Sequence, residues 1–217
     1  MERYFILNNF NTWYDWRLVL TGKDVTPPEP KTNYVEIDGM DGTLDLSESL
    51  TGEITYKDRT VSASFWTSEG SFKERASLLR NIVSSLHGKK IKIIEPDDPD
   101  HYFYGRVNVK YLTNTLPYAT FTIEAICEPW RYAVEETVRI VPLKSSFTNI
   151  VINNNGVKTV CPTIELTDNA VISLDGINIP FVAGKYKISD ITFRQGVNII
   201  KVSGSGSMII TYREADL

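Results

Sequence analysis

Alternation of apolar and polar positions dominates the chain. Val61, Ala63 and Phe65 alternate with Ser62, Ser64 and Trp66, and Val107, Val109 and Tyr111 alternate with Arg106, Asn108 and Lys110. Ala119, Phe121, Ile123, Ala125 and Cys127 alternate with Tyr118, Thr120, Thr122, Glu124 and Ile126. A period of two with one apolar face predicts half-buried antiparallel strands. One segment, SFKERASLLRNIVSSLHGKK, has another period. Phe72, Ala76, Leu79, Val83 and Leu86 fall at helical spacing, which predicts one amphipathic helix over about 71–87. Ser71 and Glu74 fit a capping box, in which each side chain satisfies a backbone N–H of the first turn. Gly88 suits the left-handed position after the helix. Lys89, Lys90 and His87 would sit at the negative end of its dipole.

The pattern changes after Trp130. All four tryptophans and both histidines lie at or before that residue. The stretch VPLKSSFTNIVINNNGVKTVCP is polar and turn-prone, and a domain boundary is read within 138–145, giving domains 1–140 and 141–217. Beyond it PTIEL, AVISL, INIPFV, ITF, VNIIKV and SMIITYR read as short strands, separated by TDN, DG, AGKY and RQG, with GSGS at 204–207 as a hairpin loop. The fold class is mainly β. The first domain is an α+β β-sandwich or split barrel with one long helix, and the second is a small β-sandwich. So small a second domain buries a modest core and gains from packing on neighbours.

The chain has 217 residues and a formal net charge of -4, with 42% hydrophobic and 23% charged residues. That composition fits a folded globular chain, and the acidic balance argues against a phosphate-reading nucleic-acid binder. No apolar run approaches the ~18 residues of a membrane span, so no membrane insertion is expected. MERYFILNNFNTW lacks a small-residue cleavage site, so no signal peptide is expected. Cys127 and Cys161 have no CxxC spacing and read as reduced thiols. His101 and His87 lack metal-ligand spacing, and no nucleophile elbow, P-loop or dinucleotide fingerprint occurs. Neither an enzyme nor a cofactor is expected. Glu95, Asp97, Asp98 and Asp100 are the best metal candidate, against which stands a wide turn built on Pro96 and Pro99. PPEP at 27–30 reads either as an edge loop or as an extended arm laid across a neighbouring subunit, since proline suits both.

Several segments in order carry a resemblance: PEPKTNYVEIDGMDGTLDLSESLTG, YKDRTVSASFW, the helix closing on LHGKKIKI, DDPDHYFYGRVNV, IEAICEPWRY, and NNGVKTVCPTIELT through GVNIIKVSGSGSMIITYR. Together they resemble the distal tail protein (Dit) family of long, non-contractile-tailed bacteriophages and their prophages, over nearly the whole chain. The resemblance implies a structural tail-tip or baseplate hub. Its first domain would build a six-fold ring, as a homo-hexamer or two stacked hexamers, and its second would be a galectin-like sandwich. The ring would join the tail-tube protein to the tail-associated hub protein, could hold a receptor-binding protein, and would leave a lumen for DNA without specific nucleic-acid binding. Made in the bacterial host cytoplasm, the protein would reside in the virion at the distal end of the tail. Residues 26–50 are then expected at the ring interface, with Pro27, Pro28, Pro30, Tyr34, Asp41, Gly42, Asp45 and Arg59 as contact residues. Arg59 is expected to pair with a carboxylate nearby or across that interface. The alternative is a carbohydrate-binding module using the C-terminal sandwich, although residues 131–217 hold no Trp and no His.

Overall fold

The computed structural model describes residues 3–174 and 176–217. Met1, Glu2 and Asp175, the last being half of an expected Asp–Gly turn, lie outside the described residues. The chain divides into two compact units, 1–131 with Leu217, and 132–216.

The first unit contains β1 (Ile6–Leu7), β2 (Phe10–Asn11), β3 (Val19–Val25), β4 (Tyr34–Glu36), β5 (Thr43–Asp45), β6 (Arg59–Thr67), α1 (Phe72–Leu86), β7 (Lys90–Glu95), β8 (Asp98–Asn114) and β9 (Ala119–Cys127). An antiparallel sheet runs in the order β2-β1-β7-β8-β9-β6-β3. The alternation of β6 and β9 places Val61, Ala63, Phe65, Phe121, Ile123 and Ala125 on the buried face, each no more than 5% exposed. The sheet curls until strands far apart in its order meet. Phe5, just before β1, packs edge-to-face on Phe65 of β6 at 6.1 Å. Lys23 of β3 reaches Glu95 of β7 and lies 2.7 Å from Asp97, which Arg3 also grips at 2.6 Å. Aromatic packing and ion pairs close this seam of a split barrel.

The helix forms as its caps dictate. Ser71 Oγ accepts from Glu74 N–H, the Glu74 carboxylate accepts from Ser71 N–H, and Gly88 takes φ +76°. Its inward face, however, is Arg75, Leu79, Ile82 and Leu86, while Phe72 is half exposed. Arg75 takes the position the stripe assigned to its neighbours because each of its three guanidinium nitrogens finds an acceptor. It donates to the Gly70 carbonyl (2.6 Å), the Thr115 carbonyl (3.0 Å) and Asn114 Oδ1 (3.3 Å). The dipole reading of the last turn also changes. Among the described residues no base lies within that turn, Lys90 pairs with Glu128 at 2.7 Å, and His87 Nδ1 accepts a hydrogen bond from Val109 N–H.

Strand β8 breaks its own alternation. Lys110 pairs with Thr122, but the next partner of Thr120 is Thr113, so one extra residue bulges out. Tyr111 takes φ +52°, and Tyr111 and Leu112 turn to solvent rather than inward. Cys127 faces the core, where burial pushes its thiol up to about 12.

Strand β10 (Arg131–Ala133) lies where the chain passes to the second unit. There follow β11 (Thr137–Pro142), β12 (Thr148–Asn154), β13 (Thr163–Leu166), β14 (Ala170–Leu174), β15 (Ile177–Phe181), β16 (Gly184–Lys187), β17 (Gly196–Gly204), β18 (Ser207–Tyr212) and β19 (Ala215–Asp216). Two four-stranded sheets, β11-β18-β13-β16 and β12-β17-β14-β15, enclose a core that includes Ile152, Ile164, Ile172, Phe193 and Ile210. The stretch read as polar and turn-prone thus holds β12, whose Ile150 and Ile152 are buried. The units divide ahead of 138–145 because β11 already pairs with β18. Two short readings change. AGKY contains most of β16, and ITF joins no ladder, since Phe193 bridges Val160 alone. The turn at Ser205–Gly206 is a crossover from one sheet to the other, not a hairpin loop. Glycine suits it, because a Cβ on Gly204 would lie 2.8 Å from the Asn169 carbonyl oxygen and Gly206 has φ +71°.

Candidate functional site

Between β3 and β6 the chain leaves the barrel and returns. The excursion begins where Thr26 and Thr60 bond across the gap, through Thr26 N–H to the Thr60 carbonyl (3.2 Å), Thr26 Oγ1 to the same oxygen (3.0 Å) and Thr60 N–H to Thr26 Oγ1 (3.2 Å). Arg59 locks this root. It is 6% exposed, donates to the carbonyls of Thr26 (3.0 Å) and Pro129 (3.2 Å), and stacks over the Phe103 ring. Burial, with Arg131 nearby, pulls the Arg59 pKa below the usual guanidinium range. Within the chain Arg59 meets backbone oxygens where a nearby carboxylate was one expectation, and these suit a guanidinium whose donors fan out in one plane.

Beyond the root, Lys57 N–H donates to the Glu29 carbonyl and Lys31 N–H to the Thr55 carbonyl, with Lys57 and Glu29 paired at 2.9 Å. Pro30 sits opposite Tyr56, whose ring meets Trp130 edge-on at 5.5 Å. The PPEP segment is therefore one side of a stem. Pro27 and Pro30 are exposed, and Pro28 is buried.

From the stem projects the β4–β5 hairpin, which forms a two-stranded sheet of its own. Tyr34 pairs with Asp45, Val35 with Leu44 and Glu36 with Thr43. Its end is the double Asp–Gly segment noted in the sequence. Gly39 and Gly42 take φ +84° and +76°, and Met40 N–H closes back on the Ile37 carbonyl. Asp41 and Gly42 stand at this tip. Asp45 instead secures the base of the hairpin, where its carboxylate accepts from both the Ser47 hydroxyl and the Ser47 N–H. Those bonds, the hydroxyl's first, hold the Asp45 carboxyl below its ordinary pKa.

Every residue from Glu29 to Asp45 is exposed. The hairpin carries apolar side chains into solvent, with Tyr34 58%, Ile37 46% and Met40 47% exposed. Val35 and Leu44 form an apolar cross-strand pair on one face. A two-stranded ribbon without a third strand or a core is marginal in water, and contiguous exposed apolar residues mark interaction surfaces. Sequence reasoning found Tyr34 and the turn but missed Val35, Ile37, Met40 and Leu44, because strands of three residues are too short for alternation to register.

The acidic segment at 95–100 is not a wide turn. Pro96 and Asp97 form a tight turn, with Glu95 opposite Asp98. Glu95 and Asp97 face Lys23, and Asp98 pairs with His101 (2.8 Å) and Arg131 (2.9 Å). Among the described residues no group of three or more His, Cys, Asp or Glu could hold a metal ion. No described helix is long and apolar enough to cross a membrane.

No protein-family model matches the chain, and no curated protein matches it. Among solved structures it is similar to the SPP1 Dit (gp 19.1) protein, described as a paradigm of the hub adsorption apparatus in phages that infect Gram-positive bacteria. The TM-score is 0.72 at 15% identity, over 99% of each chain. The likeness establishes a shared fold along the whole chain.

Proposed function

We propose that this protein is a structural hub at the distal end of a phage tail. The observation that carries the reading is the full-length likeness to a phage hub protein, covering both units in one order. In this reading the barrel unit closes a homo-hexameric ring, alone or as two stacked rings, between the tail-tube protein and the tail-associated hub protein. The sandwich unit faces adhesion or receptor-binding components, and the ring leaves a lumen for DNA. The protein is then a virion component without catalytic work. The projecting hairpin supports the assembly role. An acidic, apolar-faced ribbon held on a rigid stem is poorly suited to a monomer and well suited to a subunit contact. A cyclic ring needs such a heterologous contact, with a donor element on one subunit and a different acceptor on the next. Pro27, Pro28, Pro30 and Arg59 belong to the stem that aims the hairpin, and Tyr34, Asp41, Gly42 and Asp45 to the hairpin itself.

The test is size-exclusion chromatography with light scattering across a concentration series, followed by negative-stain imaging of the main peak. Six or twelve copies per particle, seen as rings with a central hole, are expected. A strict monomer at the highest concentration overturns the self-assembling ring and directs attention to a free-standing binding module, to be probed with a glycan array.

A further inference from the structure

We propose that the hairpin of a second copy of this chain seats in the groove between α1 and the bulged end of β8. This rests on the ring reading and names its acceptor. The groove measures about 420 Å³ and is lined by Ala76, Leu79 and Val83 of the helix and Leu112 of the bulge, with Arg80 and Ser84 among its walls. Phe72 is 50% and Tyr111 78% exposed beside it. The bulge holds Tyr111 at φ +52°, a sparsely populated conformation for a bulky residue, and thereby presents Tyr111 and Leu112 outward.

The two surfaces match in chemistry. The hairpin brings Val35, Ile37, Met40 and Leu44 to apolar walls. Residues 36–48 contain five carboxylates (Glu36, Asp38, Asp41, Asp45, Glu48) and no base. On α1, Lys73 and Arg80 stand seven residues apart, two turns along one helix face. Both are exposed, and neither forms an ion pair among the described residues. Acidic tip and basic groove rim are complementary, which selects orientation and partner.

They also match in placement. The hairpin is rooted at the Arg59 end of β6. The groove is at the Thr67 end, where Ala119 pairs with both Thr67 and Asn114. Eight residues of strand at ~3.3 Å each put about 26 Å between the two sites. A donor and an acceptor that far apart on one rigid unit make a head-to-tail contact, the kind that closes rings.

Two variants of the full chain test this. The first is the double-cysteine protein Met40→Cys/Ser84→Cys, oxidised under conditions where wild type is assembled. Native Cys127 is buried and Cys161 half-buried. A covalent ladder extending beyond the dimer is expected for the double variant, and no species beyond the dimer for either single one. The second is a charge exchange. Arg80→Glu alone and Asp38→Lys/Asp41→Lys alone each weaken assembly at least tenfold in concentration, and their combination restores it, with circular dichroism confirming that each folds. If wild type forms rings by mass but the cysteines do not cross-link and the exchange does not rescue, the groove assignment falls and the ring reading stands. If wild type is monomeric at every concentration, both fall.

Discussion

Two buried arginines do related work at opposite ends of β6. Arg59 ties the excursion's root to the barrel through the carbonyls of Thr26 and Pro129, and Arg75 ties the start of α1 to the turn after β8 through Gly70 and Thr115. Neither role is visible in a sequence. Period rules assign arginine to the outside, because they count positions and not the reach of a side chain or the carbonyls left unpaired at element ends. Arg75 is 3% exposed. Replacing it with alanine removes the charge-assisted hydrogen bonds to the Gly70 and Thr115 carbonyls and empties a buried position, at a cost of about 2–4 kcal/mol. Lys73→Ala, close by on the same helix but exposed, is expected within about 0.5 kcal/mol of wild type. Urea unfolding checks both, and an Arg75→Ala protein as stable as the Lys73→Ala protein would remove the anchoring role.

At the scale of elements, long alternation and strong caps are legible and local irregularity is not. The nine residues of β6 and of β9 follow the alternation read from the chain, and the Ser71–Glu74 box marks the start of α1. The bulge in β8 is not legible, since one inserted residue reverses the phase of everything after it without altering composition. Nor is the change of sheet at Ser205–Gly206, because a tight glycine turn reads alike whether it joins two strands of one sheet or of two. The hairpin is legible as a turn-rich polar segment, yet its apolar face is not. Its independence from the barrel core gives a prediction. Replacing residues 33–46 with a short Gly-Ser linker removes only exposed or half-buried side chains and leaves the stem pairs Lys31–Thr55 and Glu29–Lys57 in place. The midpoint of thermal unfolding of the dissociated protein is expected to move by no more than about 3 °C, while assembly is lost. An assembled particle of unchanged mass would exclude the hairpin from the proposed ring contact.

The whole molecule combines a barrel closed by side chains with a sandwich closed by its own core, and acid should act on the first through its seam. The tryptophans Trp13, Trp16, Trp66 and Trp130 all belong to the barrel unit, so the composition shift seen in the sequence becomes a probe of that unit alone. At the seam, hydrogen bonds from Lys23 and then Arg3 hold the Asp97 carboxyl below its ordinary value of 3.8. A carboxylate whose folded pKa is depressed adds stability that is present above its unfolded pKa and disappears as pH falls through the lower folded value. For Lys23, burial works against the charge, but hydrogen bonds with Asp97 and Glu95 outweigh it and raise the pKa above 10.5. Its contribution is therefore complete at neutral and acid pH and fades only in strong alkali. The seam's acid sensitivity thus lies with the carboxylate, in the window below about pH 4. Tryptophan fluorescence in urea should show the barrel losing stability through that window. Arg3→Gln removes one of the two cations facing Asp97, so its stability should lie below wild type at pH 7 and converge with it as pH falls through the lowered folded pKa of that carboxylate. Parallel curves that never converge would mean that Arg3 acts through packing and that the barrel does not close on charge at this seam.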